Sequence, residues 1–350
     1  MSSAGDSILV VGPAWVGDMV MAQSLFRMLR DLRPEARIDV VAPPWSEPLL
    51  ARMPEVRRAV PLPVGHGELK LGERLRVGRS LRDGDGDGNY GHAIVLPRSL
   101  KAALVPFFAR VPLRTGFRGE MRYGLLNDIR DLDKSRLDQT VKRFLALGLP
   151  RNAELPRPPY PALSIDAENR ASFAERLGVD GRDVVALMPG AAYGPAKCWP
   201  LDYFGELAAD LGRGGTAVVV LGSAGERDVG ERIRQQGGDG VFNLCGETRL
   251  EDTVDLLSLA GAAVTNDSGL MHVAAAAGTE VVAIYGSTSA AFTPPLTDKQ
   301  TVISLGLDCS PCFARECPLG HLRCLRDIKP DRVAAVVRSV LSRIPGRPSL

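Results

Sequence analysis

Val264-Thr-Asn-Asp-Ser-Gly-Leu-Met-His-Val-Ala-Ala-Ala-Ala-Gly-Thr-Glu-Val-Val-Ala-Ile-Tyr-Gly286 reads as strand, turn, helix, strand. Ala262 to Thr265 end a short apolar strand. Asp267 and Ser268 are N-cap residue types, and the pattern predicts a helix over Gly269–Ala277. Gly278 stops that helix, and Glu280 to Tyr285 is a buried strand of the parallel-sheet kind. A helix that starts at the carboxyl end of a parallel strand is where α/β sheets bind ligands. Its free N–H groups and positive dipole end suit a phosphate. Asp267 and His272 at such a start point to a polar ligand. The plain structural alternative is that Asp267 only caps and His272 only packs.

The chain around this stretch has 350 residues, enough for two domains with separate cores. A hydrophobic fraction of 45% and a charged fraction of 24% are ordinary for a globular protein, and a net charge of +2 names no partner. No apolar run is long enough to span a membrane. The chain enters a strand at Ser7 without a basic region or a cleavage site, which predicts no signal peptide and a cytoplasmic location. Cysteines in such a chain are expected as thiols or metal ligands, not disulfides.

The first half alternates strands and helices from Ile8–Val11 onward. Gly12-Pro-Ala-Trp-Val-Gly-Asp18 has the glycine spacing of a P-loop, but Asp18 stands where that loop needs lysine. A carboxylate there repels phosphate. At a helix start it stays ionised, which suits a general base; capping is the other reading. Asp83-Gly-Asp-Gly-Asp-Gly88 imitates half of a calcium loop but has Ile94 at the twelfth position, so it reads as a solvated, inserted loop. Residues 98–143 hold eleven Lys or Arg against five acids. A solvated surface explains much of that surplus. Yet Arg114-Thr-Gly-Phe-Arg118-Gly-Glu-Met-Arg122-Tyr123 puts arginines and aromatics in one glycine-containing loop, which fits capture of an anionic ligand. No nucleic-acid motif accompanies them, and aromatics are only 5% of the chain.

Pro150 to Pro161 is proline-rich and marks the linker. The second half restarts the alternation at Asp183–Met188, followed by Pro189-Gly190-Ala-Ala-Tyr193-Gly-Pro-Ala-Lys197, a loop with a single lysine ahead of a helix. After the strand Thr216–Leu221, Glu226 is placed as an acid that binds ribose hydroxyls. Cys309, Cys312, Cys317 and Cys324 are numerous enough for a tetrahedral zinc site, but their spacing is not that of paired Cys-x2-Cys knuckles, and a reduced thiol cluster is the expectation.

Together these residues make a two-domain transferase with its reaction in a cleft. Lys197 and the helix dipole stabilise a departing diphosphate, and a carboxylate takes the proton of an acceptor hydroxyl. Gly12 to Met21, Val95 to Lys101, Arg114 to Arg118, Lys197-Cys-Trp-Pro200, Asn266 to His272 and the late cysteines resemble, in combination, the ADP-heptose:lipopolysaccharide heptosyltransferases over nearly the whole chain. The resemblance implies a GT-B fold of two Rossmann-like domains. They would be an acceptor domain at 1–155 and an ADP-heptose domain at 156–325, with a helix at 326–350 packing back on the first. It implies inverting transfer of L-glycero-D-manno-heptose from ADP-heptose to the first heptose of the lipid-anchored inner core, without a required cofactor, at the cytoplasmic face of the inner membrane. Residue by residue, it makes Asp18 the base, and puts Lys197 at the donor phosphates and Glu226 at the ribose. Asp267, Ser268, Gly269 and His272 form the donor turn, with Gly190, Tyr193, Ser223 and Gly246 completing the donor set. Arg98, Lys101, Arg114, Arg118 and Arg122 would face the acidic acceptor.

A core heptosyltransferase for a different acceptor sugar is the near alternative. A nucleotide-sugar epimerase needs further acid and base groups around the sugar, and a phosphorylase a Schiff-base lysine site; neither is visible. A non-catalytic binding protein of two α/β lobes would make Asp18 expendable.

Overall fold

The computed structural model describes residues 7–65, 67–83, 90–179 and 183–343. The Asp83–Gly88 run therefore lies almost wholly outside the described residues. The chain divides into two units with the boundary after Pro161.

The first unit is built on β1 (Ser7–Val11), every residue of which is buried. An uninterrupted apolar strand has helices on both faces, so it belongs in the middle of a parallel sheet. It does lie there. α1 (Val16–Leu32) follows it, then β2 (Arg37–Ala42), α2 (Glu47–Leu50), β3 (Val56–Pro61), α3 (Leu71–Asp83), β4 (His92–Val95), α4 (Leu104–Phe108), β5 (Leu113–Phe117), β6 (Asp128–Arg130) and α5 (Thr140–Gly148). The six strands run in the order β3-β2-β1-β4-β5-β6, all parallel. Leu9 pairs with Asp39 on one side and Ala93 on the other. Asp39 has no exposed surface, and Arg57 grips it with two bonds of 2.9 and 2.7 Å.

The second unit repeats the plan. It contains α6 (Ala167–Leu177), β7 (Val184–Met188), α7 (Leu201–Arg213), β8 (Ala217–Val220), α8 (Arg227–Gly237), β9 (Val241–Asn243), α9 (Leu250–Leu259), β10 (Ala262–Asn266), α10 (Gly269–Ala276), β11 (Glu280–Ile284), β12 (Gln300–Ile303), α11 (Arg323–Arg326) and α12 (Pro330–Leu341). Its parallel sheet has the order β12-β11-β10-β7-β8-β9. Val185, Leu187, Val218, Val220, Val264 and Val282 build the core beneath it, each removed from water at about 1.5–3 kcal/mol. α12 adds Val333, Ala334, Val337, Val340 and Leu341 to this same core, one face of a 3.6-residue repeat.

In each sheet the chain leaves a central strand, builds outward, and returns to that strand's other side. The reversal falls between β1 and β4 in the first unit and between β7 and β10 in the second. Loops leaving such neighbours diverge to opposite faces and open a crevice at the carboxyl ends of the strands.

Candidate active site

The second unit's crevice is formed by the loop after β7 and the turn after β10. Asn266 ties them together. Its amide donates to Pro189 O at 2.6 Å, and its carbonyl accepts from Trp199 N at 2.9 Å. Trp199 is buried and anchors the loop's far end through Nε1 to Ile328 O at 2.8 Å. This frame delivers Lys197, whose Nζ donates to Asp267 Oδ2 at 2.7 Å and Asp267 O at 3.3 Å.

The pair sits at the start of α10. Ser268 occupies the N-cap position, but its side chain makes no capping bond; its hydroxyl lies 3.3 Å from Thr265 Oγ1. The helix start falls where the N-cap residue types of the sequence place it; what Ser268 lacks is the side-chain capping bond. Asp267 spends Oδ2 on Lys197, and Thr293 donates to its Oδ1 at 3.4 Å. Backbone N–H groups of the first turn, beginning at Gly269, are what a helix start offers an anion. His272 is buried one turn in, with no partner for Nδ1, and burial lowers its pKa to about 4. It is neutral at physiological pH and can donate or accept a hydrogen bond without adding charge.

At the end of β8, Ser223 and Glu226 form a capping box. Glu226 Oε2 accepts from Ser223 N at 2.6 Å and from Ser223 Oγ at 2.7 Å. The second carboxylate oxygen reaches over Gly190, where a Cβ would stand 1.4 Å from Oε1. Glycine is needed at 190 for this approach. Gly246 supports the same turn from below, at φ +74° and with its Cβ position 2.6 Å from Ala224 Cα. Gly190, Ser223, Glu226 and Gly246 are therefore one packed unit. The Tyr193 ring centroid lies 5.1 Å from Lys197 Nζ.

In the first unit, Asp18 is the third residue of α1, half-buried, just beyond the carboxyl end of β1. The turn after β4 carries Arg98, which is exposed and donates to Arg118 O at 3.2 Å. Lys101 follows in the same turn, half-buried. Arg118 is exposed and pairs with Asp131 at 3.1 Å.

Two arginines behave otherwise. Arg122 is 1% exposed, and its guanidinium donates to Pro97 O at 2.7 Å, Ser99 O at 3.3 Å and Phe117 O. Burial lowers its pKa to about 10. Arg114 donates to Leu125 O at 2.6 Å and Val111 O at 2.5 Å. Both hold the loop together through backbone carbonyls, and Arg122 does so from a buried position. The segment read as one loop is also part strand: Leu113–Phe117 is β5, with Thr115 buried against His92 and Asp128.

Among the described residues no group of three or more His, Cys, Asp or Glu is arranged to hold a metal ion. Cys309, Cys312, Cys317 and Cys324 are free thiols. Burial, then the three neighbouring sulfurs, push the Cys324 thiol up. No helix among the described residues is long and apolar enough to cross a membrane.

Asn266 and Thr293 hold the site's loops and Asp267, and the Arg315 guanidinium lies 5.3 Å from the Tyr193 ring centroid; none of the three stands out in the sequence as a site residue. Asn266 has a signal there, since it directly precedes Asp267 at a strand end. Thr293 and Arg315 have none.

A profile of glycosyltransferase family 9 (heptosyltransferase) matches residues 74–323. The chain is 47% identical to lipopolysaccharide heptosyltransferase 2 of Salmonella typhimurium (strain LT2), over 96% of this chain and 98% of that protein. It is 46% identical to lipopolysaccharide heptosyltransferase 2 of Escherichia coli (strain K12), over 95% and 98%. The solved structure of Escherichia coli ADP-heptose lps heptosyltransferase II superposes with a TM-score of 0.85 at 42% identity, over 96% of this chain and 99% of that one. Two parallel six-stranded sheets with flanking helices, superposing this well, are the GT-B fold. The chain belongs to glycosyltransferase family 9, the heptosyltransferases, and is a glycosyltransferase.

Proposed function

We propose that this chain transfers L-glycero-D-manno-heptose from ADP-heptose to the first heptose of the lipopolysaccharide inner core, with inversion at the anomeric carbon. The observation that carries the reading is the Lys197–Asp267 pair at the open start of α10, in a chain similar along nearly its whole length to lipopolysaccharide heptosyltransferase 2.

The roles follow from the chemistry of each group. The diphosphate is read onto Lys197 and the N–H groups at Ser268 and Gly269. Glu226 Oε1, reaching over Gly190, is read as the acceptor for ribose hydroxyls. His272, uncharged, and Asp267 are read against the heptose hydroxyls, with Tyr193 closing the phosphate end. Asp18 takes the proton of the acceptor hydroxyl as its oxygen bonds to the anomeric carbon. The bond from that carbon to the diphosphate oxygen breaks, and its electron pair leaves with ADP. Lys197 and the α10 dipole favour that departing charge, the work another transferase gives to a metal ion. Arg98, Lys101 and Arg118 are the cations left to reach a phosphorylated acceptor. Because the acceptor is lipid-anchored, the same basic face is read as the peripheral contact with the inner membrane. Salt-sensitive flotation with anionic liposomes tests that contact, and its absence counts against it.

The test of function is ADP release from ADP-heptose with inner-core acceptors carrying either no heptose or one. Release that needs the one-heptose acceptor is expected. Faster release with the heptose-free acceptor would make this the type I enzyme. Release without any acceptor would discard the transferase reading of the site.

A further inference from the structure

The donor site as read is short of positive charge. Lys197 is matched by Asp267 at 2.7 Å, so the pair brings no net charge to a diphosphate. The start of α10 supplies only about half an elementary charge. ADP leaves with one more negative charge than it had as donor. Another cation is needed, and the segment between Cys312 and Cys317 holds one.

That segment is stitched to the site along two edges. Tyr193 donates its hydroxyl to Phe313 O at 2.8 Å, and Ala196 N donates to Arg315 O at 3.0 Å. Gly194 approaches so closely that a Cβ there would stand 2.5 Å from Arg315 O. On the other edge Phe313 N donates to Ser287 O at 2.7 Å, just past β11. The Arg315 guanidinium carbon lies 5.3 Å from the Tyr193 ring centroid, the same ring that Lys197 approaches at 5.1 Å. Among the described residues Arg315 makes no ion pair with a carboxylate. An arginine on an aromatic face is held in place while its N–H fork stays available. In the turn that Phe313 N holds, Ser287 Oγ and Thr288 Oγ1 are buried polar atoms with no partner among the described residues. Buried hydroxyls without a partner are costly, and they belong where a ligand supplies one.

We propose that Arg315 is a further cation of the donor site. It binds the β-phosphate of the nucleotide diphosphate and stabilises the charge that accumulates there as the glycosidic carbon–oxygen bond breaks. The guanidinium gives up no proton. It takes the developing charge by hydrogen bonding, while the acceptor's proton still goes to Asp18. The proposal rests on the reading of Lys197 and α10 as the diphosphate site. It also explains why the cysteine-bearing segment folds back here, since it carries an arginine to a loop more than a hundred residues upstream.

ADP and AMP distinguish the β-phosphate from the rest of the nucleotide. Their affinities are measured by calorimetry for the native protein, Arg315→Gln, Arg315→Lys and Lys197→Ala. Arg315→Gln is expected to weaken ADP by about 10- to 100-fold, the weight of a charge-assisted contact, while AMP binding stays near native. Arg315→Lys keeps the charge and is expected to recover part of the preference for ADP. kcat should fall with Arg315→Gln more than the KM for acceptor rises. If Arg315→Gln leaves the ADP-to-AMP preference intact while Lys197→Ala abolishes it, the proposal is overturned and the donor reading survives. If both variants keep the preference, the diphosphate site itself is misplaced. Native AMP affinity in each variant reports that the site is folded. Should Arg315→Gln lose AMP binding too, the ADP-to-AMP preference of Arg315→Lys decides: a lowered or abolished preference with AMP affinity near native supports the contact, and an unchanged preference overturns it.

Discussion

The basic loop of the first unit and the lysine loop of the second both gather cations beside a glycine-rich turn, and they use them in opposite ways. Arg122 and Arg114 turn inward and donate to backbone carbonyls of the surrounding loops. Lys197 stands at a helix start, paired with Asp267, and it and Arg315 both lie against one tyrosine ring. Residue type and clustering are alike in the two regions. What separates them is how many backbone carbonyls lie within reach: an arginine fork close to several of them is committed to the fold.

The largest effect that would break this contrast is expected at Lys197. Lys197→Ala should lower the rate of ADP release by about 10²–10³-fold, since it removes charge aimed at the departing diphosphate, and should also lower the melting temperature, because Asp267 is left buried without its partner. A small rate effect together with a large loss of stability would make Lys197 structural. Arg122→Ala should act on stability alone. It strands the carbonyls of Pro97 and Phe117, and should cost about 1–3 kcal/mol for each in urea unfolding, while donor affinity of the folded fraction is unchanged. Arg118→Ala sharpens the distinction within the first unit. Its pair with Asp131 is exposed on both sides, so stability should move by less than about 1 kcal/mol. The KM for acceptor should rise several-fold at low salt and less at high salt.

The smallest expected effect concerns His272, whose pKa burial depresses from 6.5 to about 4. The unfolded chain takes up a proton below pH 6.5 that the folded chain refuses until about pH 4. Stability should therefore fall as pH drops through that window, and be fully present above it. His272→Gln should flatten the melting temperature between those limits, though His92, lowered to about 4 by its own burial, leaves a residual slope. An unchanged slope in the variant would mean that His272 is solvated.

The central strands are legible in the sequence because their physics is local. Arg37–Ala42 and Val56–Pro61 stand where the apolar runs and their proline boundaries put them. β5 is not, because Arg114 and Gly116 interrupt its pattern, and only its neighbours' polar side chains make Thr115 a buried strand residue. β6, with three residues, has no periodicity to detect. α5 and α6 lie beside a dense charge run and a proline-rich stretch, which mask their periodicity. In the site, Lys197, Glu226 and Asp267 are legible because each stands at a strand-to-helix turn. Their partnerships are not: Lys197 and Asp267 are 70 residues apart in the chain. Arg315 is farther still from Tyr193, and nothing in the Cys312–Cys317 spacing announces a ligand contact.

The most direct test of the account separates binding from turnover at Asp18. ADP affinity and the rate of ADP release with a one-heptose acceptor are measured for the native protein and Asp18→Asn. The account predicts native ADP affinity in the variant and a rate lower by about 10²-fold or more, the weight of a general base. An undiminished rate would contradict it, leaving the donor site of the second unit without the base the first unit is held to supply.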